Sequence, residues 1–422
     1  MVQRQQMRSR IAIVGAGISG NVCAWLLHKD HDITVFSADD HIGGHTHTHS
    51  VSLEGREVSI DTGFMVFNEK TYPNFIRLLQ QLGVQSQPSD MSFSVRCDAS
   101  GLEYQGSSLN GLFAQRSNFF RPSFYRMVCD ILRFNREAPQ LLETPDDSCT
   151  LGNYVRDNRY SDLFLQHYLV PLGASIWSCP AERFLAFPAR FLVSFLQNHG
   201  LLQIRNRPRW YTICDGAQSY VQALTESFSQ AITTRCPIRR VERKEDGVFI
   251  KRGDGVEEPF DKVIFATHAD TTLHLLAAPT AEEKEILSHF AYQQNEAVLH
   301  TDRSWMPQSR RAWASWNYLV SKSATKPVSV TYDVNRLQKL GCSQPVCVTL
   351  NPSRPIDDRF VLERMSYQHP VFSAGSIAMQ HRHKEINGKH HSYFCGAYWG
   401  YGFHEDGVNS GLAVAKCFGK HL

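Results

Sequence analysis

Three glycines at fixed spacing, Gly15, Gly17 and Gly20, follow the apolar run Ile11-Ala-Ile-Val14 and precede the apolar stretch Asn21 to Leu27. A strand, a tight glycine turn and a helix in that order make a dinucleotide pyrophosphate site. Gly15 permits the turn, Gly17 admits a phosphate with no Cβ in the way, and Gly20 lets the helix pack closely on the strand. Ala16, Ile18 and Ser19 complete the turn, where free N–H groups and the positive end of the helix dipole face the phosphates.

A second strand, Asp32 to Phe36, should end near an acidic residue about 20 residues on, to hold the ribose hydroxyls. Ser37 stands there, followed by Ala38 and Asp39, so the ribose contact falls either to Asp39 or to Ser37 itself. A further pair, Gly43-Gly44, leads into His45 and Thr46, and a hairpin over Val51 to Ile60, turning at Glu54-Gly55, leads into Asp61-Thr62-Gly63-Phe64. Backbone left open along a second stretch suits FAD lying extended along the domain more than a nicotinamide entering from outside.

The C-terminal region carries the other chemical signal. A strand from Ser392 to Gly396, a glycine-punctuated loop and a helix from about Gly407 to Gly419 would aim unpaired N–H groups near Glu405-Asp406 at an acceptor. Such a helix end stabilises the negative charge that builds at the N1 and O2 edge of a reduced flavin. The general preference of acids for a first helical turn accounts for Glu405 and Asp406 without a cofactor.

The chain resembles the flavin-containing amine oxidase and phytoene desaturase superfamily, in the N-terminal glycine triplet, the later Gly-Gly and the glycine-rich closing segment. More narrowly, it looks like the predicted FAD-dependent oxidoreductases related to the N-terminal domain of plant cyclopropane fatty acid synthases. The narrower likeness rests on Asp61-Thr-Gly-Phe-Met-Val-Phe-Asn68, Ser89-Asp-Met-Ser-Phe-Ser94, Ser175-Ile-Trp-Ser178, Ala266-Thr-His-Ala-Asp270 and Gly400-Tyr-Gly-Phe-His-Glu-Asp-Gly407. Ser37 and His41 depart from it, standing where that family usually has Glu and Arg.

The resemblance implies an α/β fold, a Rossmann-type FAD-binding domain interleaved with a mixed α+β substrate domain. It places Val241 near the adenine, Thr267 and His268 beside the cofactor, and Gly396, Glu405 and Asp406 at the flavin edge, the two acids through their backbone. It puts His404 where amine oxidases carry an aromatic side chain beside the flavin, with Tyr398, Trp399 and Tyr401 as neighbours. An imidazole there could exchange a proton at neutral pH, and Tyr398 and Trp399 either wall the pocket or are plain core; these three are the catalytic candidates. A hydrogen-bonded structural histidine is the equally open reading of His404.

These residues must be positioned by interleaved segments. Residues 1–70, 206–275 and 386–422 read as three parts of the FAD-binding domain, 71–205 as a helical cap and 276–385 as a substrate sheet. Helical spacing covers Tyr72 to Leu82, Pro122 to Ala138, Leu151 to Arg156, Tyr160 to Val170, Ala189 to His199 and Gln218 to Ser229. Pro237 to Arg243, Val248 to Arg252 and Lys262 to Thr267 read as a small three-stranded sheet. Glu296 to His300, Ala314 to Leu319, Val328 to Asp333 and Val346 to Leu350 read as strands of the substrate sheet.

Composition fits a large globular enzyme: 422 residues, 42% hydrophobic and 20% charged, with a net charge of only +3 that gives no case for nucleic acid. No run approaches the roughly 18 apolar residues of a membrane helix, and the polar, basic Met1 to Arg10 has no apolar signal region, so a cytoplasmic location is expected. The 11 cysteines are scattered without a Cys-x-x-Cys pair, which points to neither a disulfide framework nor zinc. His45, His47 and His49 alternate, which a strand would place on one face; a solvated face explains them better than a metal.

The substrate is read from the cap. Phe113, Phe119, Phe120, Phe124, Phe134, Phe164, Phe184, Phe187, Phe191 and Phe195 would wall a pocket for a long apolar ligand, or form helix core. Arg116, Arg121, Arg126, Arg133 and Arg136, then Arg205, Arg207 and Arg209 beside Trp210 and Tyr211, mix basic with aromatic residues as a peripheral lipid contact would; a solvated face is the plainer alternative. The expectation is an FAD-dependent oxidoreductase moving hydride from a C–H bond of an apolar, fatty-acyl substrate to flavin N5. The acyl part rests on resemblance. An amine oxidase, or a redox-neutral flavoprotein supporting a lipid-modifying partner, are the alternatives.

Overall fold

The strand Arg10–Val14 is buried along its apolar residues and lies at the centre of a five-stranded parallel sheet. A computed structural model describes residues 8–143, 148–177, 180–321 and 329–422; Met1 to Met7, Ser178 and Val328, named above, lie outside them. The sheet runs Ile232–Thr233, Asp32–Phe36, Arg10–Val14, Lys262–Phe265, Ser392–Phe394, so three distant stretches of chain meet in one layer. Strands with apolar residues on both faces need cover on both sides. The helices Ile18–Leu27 and His404–Lys416 pack against each other on one side, and the small sheet covers the other through Val241, Val248 and Ile250.

The small sheet differs from expectation in one strand. Ile238–Lys244 and Gly247–Arg252 pair as expected, but the third member is Glu257–Phe260, while Lys262–Phe265 joins Arg10–Val14 in the parallel layer. Glu257-Glu-Pro-Phe260 is a charged, proline-bearing stretch of the kind confined to sheet edges, which hides it from an apolar pattern. The hairpin Thr48–Leu53 and Arg56–Asp61 turns at Glu54 and Gly55, both with positive φ, as a two-residue hairpin loop requires.

A second, seven-stranded sheet runs Val361–Val371, Ala291–His300, Cys347–Leu350, Ser329–Asp333, Trp316–Val320, Phe93–Cys97, Glu103–Gln105. Its last two strands come from the segment read as a helical cap, and they join through a parallel pairing with Trp316–Val320. The cap proper contains helices Pro122–Glu137, Leu151–Asp157, Asp162–Phe164, Val170–Trp177 and Ala189–Asn198, with a π-helical turn at Leu165–Leu169. Phe124, Phe134, Phe164, Phe184, Phe187, Phe191 and Phe195 are buried in its core, whereas Phe119 and Phe120 are exposed. Among the described residues no helix is long and apolar enough to cross a membrane.

Candidate active site

The two sheets and the cap enclose one cavity of about 650 Å³, within the size range of cofactor and substrate sites. The end where the nucleotide is expected is built by the glycine turn. Gly15 has φ +113°, and a Cβ there would lie 2.6 Å from the Ala266 carbonyl oxygen; at Gly20 it would lie 2.1 Å from that of Gly15. Both positions therefore exclude a side chain. Gly17 differs: a Cβ there would meet no protein atom within 4 Å, only the cavity.

The helix Ile18–Leu27 starts at Gly17 without a side-chain cap, so its first N–H groups remain for a ligand. Gly43 donates its N–H to the Ala16 carbonyl, which lays the second glycine pair beside the first. Ala16, Ile18, Ser19, Ser37, Ala38, Asp39, Gly43 and Gly44 all line this end. Ser37 is buried and Asp39 exposed, so both ribose candidates border the same space from different depths.

Further in, His45, Thr62, Gly63 and Phe64 line the wall opposite Thr267, His268 and His369. The His45 ring centroid lies 5.5 Å from that of His369 and 6.1 Å from that of His268. Burial, reinforced by those two neighbours, pushes the His45 pKa down to about 3, and burial takes His369 to about 4. His45 Nε2 is buried with no protein hydrogen-bond partner, the state of a polar atom that a ligand group would satisfy. His47 stacks on His41 at 4.1 Å and meets the tilted ring of His49 at 4.0 Å. Among the described residues no group of three or more His, Cys, Asp or Glu is arranged to hold a metal.

At the far end His404 opens the helix His404–Lys416 and lies flat on Phe64, with ring centroids 3.8 Å apart. Its Nε2 is 2.6 Å from the Tyr220 hydroxyl, which is 2.6 Å from Thr46 Oγ1. Burial pushes the His404 pKa down to about 3. The imidazole is therefore neutral at physiological pH, with one nitrogen already occupied, and does not suit proton exchange near neutrality. Tyr398, Tyr401 and Gly396 line the same end, and Tyr401 is held by a 2.9 Å hydrogen bond between its hydroxyl and Ser194 Oγ.

Six of the residues singled out from sequence do not border the cavity: Gly20, Thr46, Val241, Trp399, Glu405 and Asp406. Gly20 serves the packing under the turn, and Thr46 serves Tyr220. Val241 is core, its carbonyl accepting from Ala277 N–H, and Trp399 packs against Phe290 and His383. The Glu405 carboxylate accepts the N–H groups of Asn74 and Phe75, capping the helix Pro73–Leu82, and burial raises its pKa. Asp406 accepts the Phe403 N–H, and burial pushes its pKa up to about 7.

The remaining wall is aromatic and aliphatic: Trp177, Phe195, Trp210, Trp316, Tyr332 and Leu350 belong to it. Of the ten cap phenylalanines only Phe195 borders the space. Among the described residues no lysine or arginine lines the cavity, and Asp39, beside the glycine turn, is the sole acidic residue that does. Tyr220, Tyr367, Gln368 and His369 were not legible as site residues, because their sequence neighbours carry no motif.

Comparison with known proteins agrees with this architecture. A family profile described as flavin containing amine oxidoreductase matches residues 18–325. The Mycobacterium tuberculosis protein named as flavin-containing monoamine oxidase AofH is 23% identical over 337 residues, 77% of this chain and 70% of that one. Tryptophan 2-monooxygenase of Allorhizobium ampelinum is 32% identical over 333 residues, 70% of this chain and 44% of that one. Among solved structures, putrescine oxidase bound to putrescine superposes with a TM-score of 0.69 at 15% identity, covering 98% of this chain and 99% of that one. A fatty acid isomerase from P. acnes superposes at 0.65 and 14%, covering 97% and 98%. The chain belongs to the flavin-containing amine oxidoreductase family and is an FAD-dependent oxidoreductase.

Proposed function

We propose that the substrate is an apolar chain of fatty-acyl or lipid type, oxidised at a C–H bond. The observation that carries this reading is the wall beyond the nucleotide end, aromatic and aliphatic, with no carboxylate among its described residues to pair with a buried ammonium. FAD, when bound, supplies the hydride-accepting ring. Gly15 to Ser19 and Gly43-Gly44 would hold the pyrophosphate by backbone N–H groups, and Ser37 or Asp39 the ribose.

Tyr220 fixes the plane of His404, so His404, Tyr398 and Tyr401 act as rigid walls that orient the reacting bond and keep water out. The surface over residues 109–136 supports lipid contact. Leu109 and Phe120 are 77% and 88% exposed, and of the five arginines near them Arg126 and Arg133 pair with Asp130 and Arg136 with Glu137, which leaves the charges of Arg116 and Arg121. Such a surface suits peripheral attachment to anionic lipid.

An amine substrate is the second reading, favoured by the names of the relatives. Mass spectrometry of small molecules that copurify with the protein separates the two. Acyl lipids are expected, and recovery of amines alone contradicts the proposal.

A further inference from the structure

Among the described residues no lysine or arginine lines the cavity, yet acyl chains in cells end in carboxylate or phosphate groups that resist burial without a cation. The charged end of such a chain must stay at the rim. His199, Leu201 and Trp210 line the cavity, and the stretch between the last two leaves the wall: Gln203 to Arg207 and Arg209 are exposed.

That stretch carries Arg205, Arg207 and Arg209 and no acid, and Ile204 is 65% exposed beside them. Arg207 is tied to its own loop by a 2.6 Å hydrogen bond from Nε to the Gln203 carbonyl, which leaves its terminal nitrogens for a ligand. The Arg209 guanidinium lies over the Tyr211 ring, 5.8 Å from its centroid. None of the three forms an ion pair with an acidic side chain among the described residues. Lys70 adds a fourth cation, near enough to His199 to help depress its pKa. Glu69 is the acid on this side, 3.4 Å from the Tyr211 hydroxyl.

We propose that the rim loop between Leu201 and Trp210 binds the anionic head of the substrate through Arg205, Arg207 and Arg209, while the chain enters past Leu201, Trp210 and Phe195. The inference rests on the acyl reading above and adds the head-group charge to it. Arginine suits the task because its planar fork grips carboxylate or phosphate oxygens in pairs. The head is either the carboxylate of a free fatty acid or the phosphate of a bilayer lipid; the loop offers both the same chemistry.

The test uses the flavin-loaded protein and the quenching of its tryptophan fluorescence, since Trp177, Trp210 and Trp316 line the cavity. The probes are a long-chain fatty acid, its methyl ester, the alkylamine of equal length, and phosphatidylcholine vesicles with and without phosphatidylglycerol. The acid is expected to bind about tenfold more tightly than the ester, an advantage that shrinks with salt. Combined Arg205→Gln, Arg207→Gln and Arg209→Gln removes that advantage and leaves ester binding intact, which shows that the variant folds.

A preference for phosphatidylglycerol vesicles alone, lost in the same variant, equally supports the site and names a bilayer lipid as the source. Equal binding of acid and ester together with no preference for phosphatidylglycerol vesicles, or an acid or phosphatidylglycerol advantage that survives the substitutions, overturns the rim site while leaving the acyl reading in place. Binding of the alkylamine with neither acid nor ester overturns the acyl reading itself.

Discussion

Tyr220 and His404, 184 residues apart, meet at 2.6 Å, and the same phenol reaches Thr46 at 2.6 Å. This chain of three polar side chains joins the helix Gln218–Thr225, the stretch after the second glycine pair and the first turn of the closing helix. It fixes His404 against Phe64 on the wall of the cavity. Tyr220→Phe leaves buried Nε2 of His404 unpaired and should cost about 1–3 kcal/mol. Urea unfolding measures this; a change below a few tenths of a kcal/mol means that the bond carries no stability.

Gly17 and Gly20 should respond in opposite ways to the same substitution. Gly20→Ala drives a Cβ to within 2.1 Å of the Gly15 carbonyl oxygen, so the protein itself should be destabilised. Gly17→Ala meets no protein atom and has an ordinary φ of −77°, so it should fold normally yet bind FAD poorly. Melting of the flavin-free protein, alongside the flavin-to-protein absorbance ratio, separates the two. Full flavin occupancy in Gly17→Ala would mean that the pyrophosphate does not lie there.

Stability should fall in acid. Burial depresses His45 and His404 to about 3, and His47, His199, His300 and His369 to about 4. Unfolded, each takes a proton near pH ~6.5 that the folded site refuses, so stability present above that pH is lost progressively as pH falls towards ~4. Asp61 and Asp406 oppose this: their folded pKa values of about 7 exceed the unfolded value, and their contribution fades as pH rises towards 7. Six imidazoles outweigh two carboxyls, so the melting temperature should drop from about pH 7 to about pH 5. A higher melting point at the lower pH would contradict these burial effects.

The basic, apolar surface over residues 109–136 should bring the protein down with anionic vesicles. Phe120→Ser combined with Arg121→Gln changes two exposed side chains, so it should weaken cosedimentation and leave the melting temperature unchanged. Undiminished cosedimentation of that variant would assign the vesicle contact to another surface.

The parts legible in sequence are those whose chemistry is local. Gly15, Gly17 and Gly20 lie within six residues, and Gly43-Gly44 follows the next strand, so one stretch of chain declares the nucleotide end. His404 is legible through the closing segment, and Thr46 and Phe64 through the stretches after the second glycine pair, but Tyr220, which ties His404 to Thr46, is not, because it comes from a helix with no motif of its own. Glu405 is the clearest lesson. A carboxylate in a first helical turn reads as serving its own helix, whereas its oxygens cap Pro73–Leu82. The strands Phe93–Cys97 and Val361–Val371 escaped for a related reason: the first sits in mostly helical surroundings, and the second is a charged edge strand containing Pro370.

The compound that reduces the flavin identifies the substrate class most directly. Anaerobic mixing of the flavin-loaded protein with long-chain acyl compounds should bleach the visible absorbance of the cofactor, while alkylamines and aromatic amines of similar size leave it unchanged. Bleaching by amines and not by any acyl compound would contradict the proposed substrate.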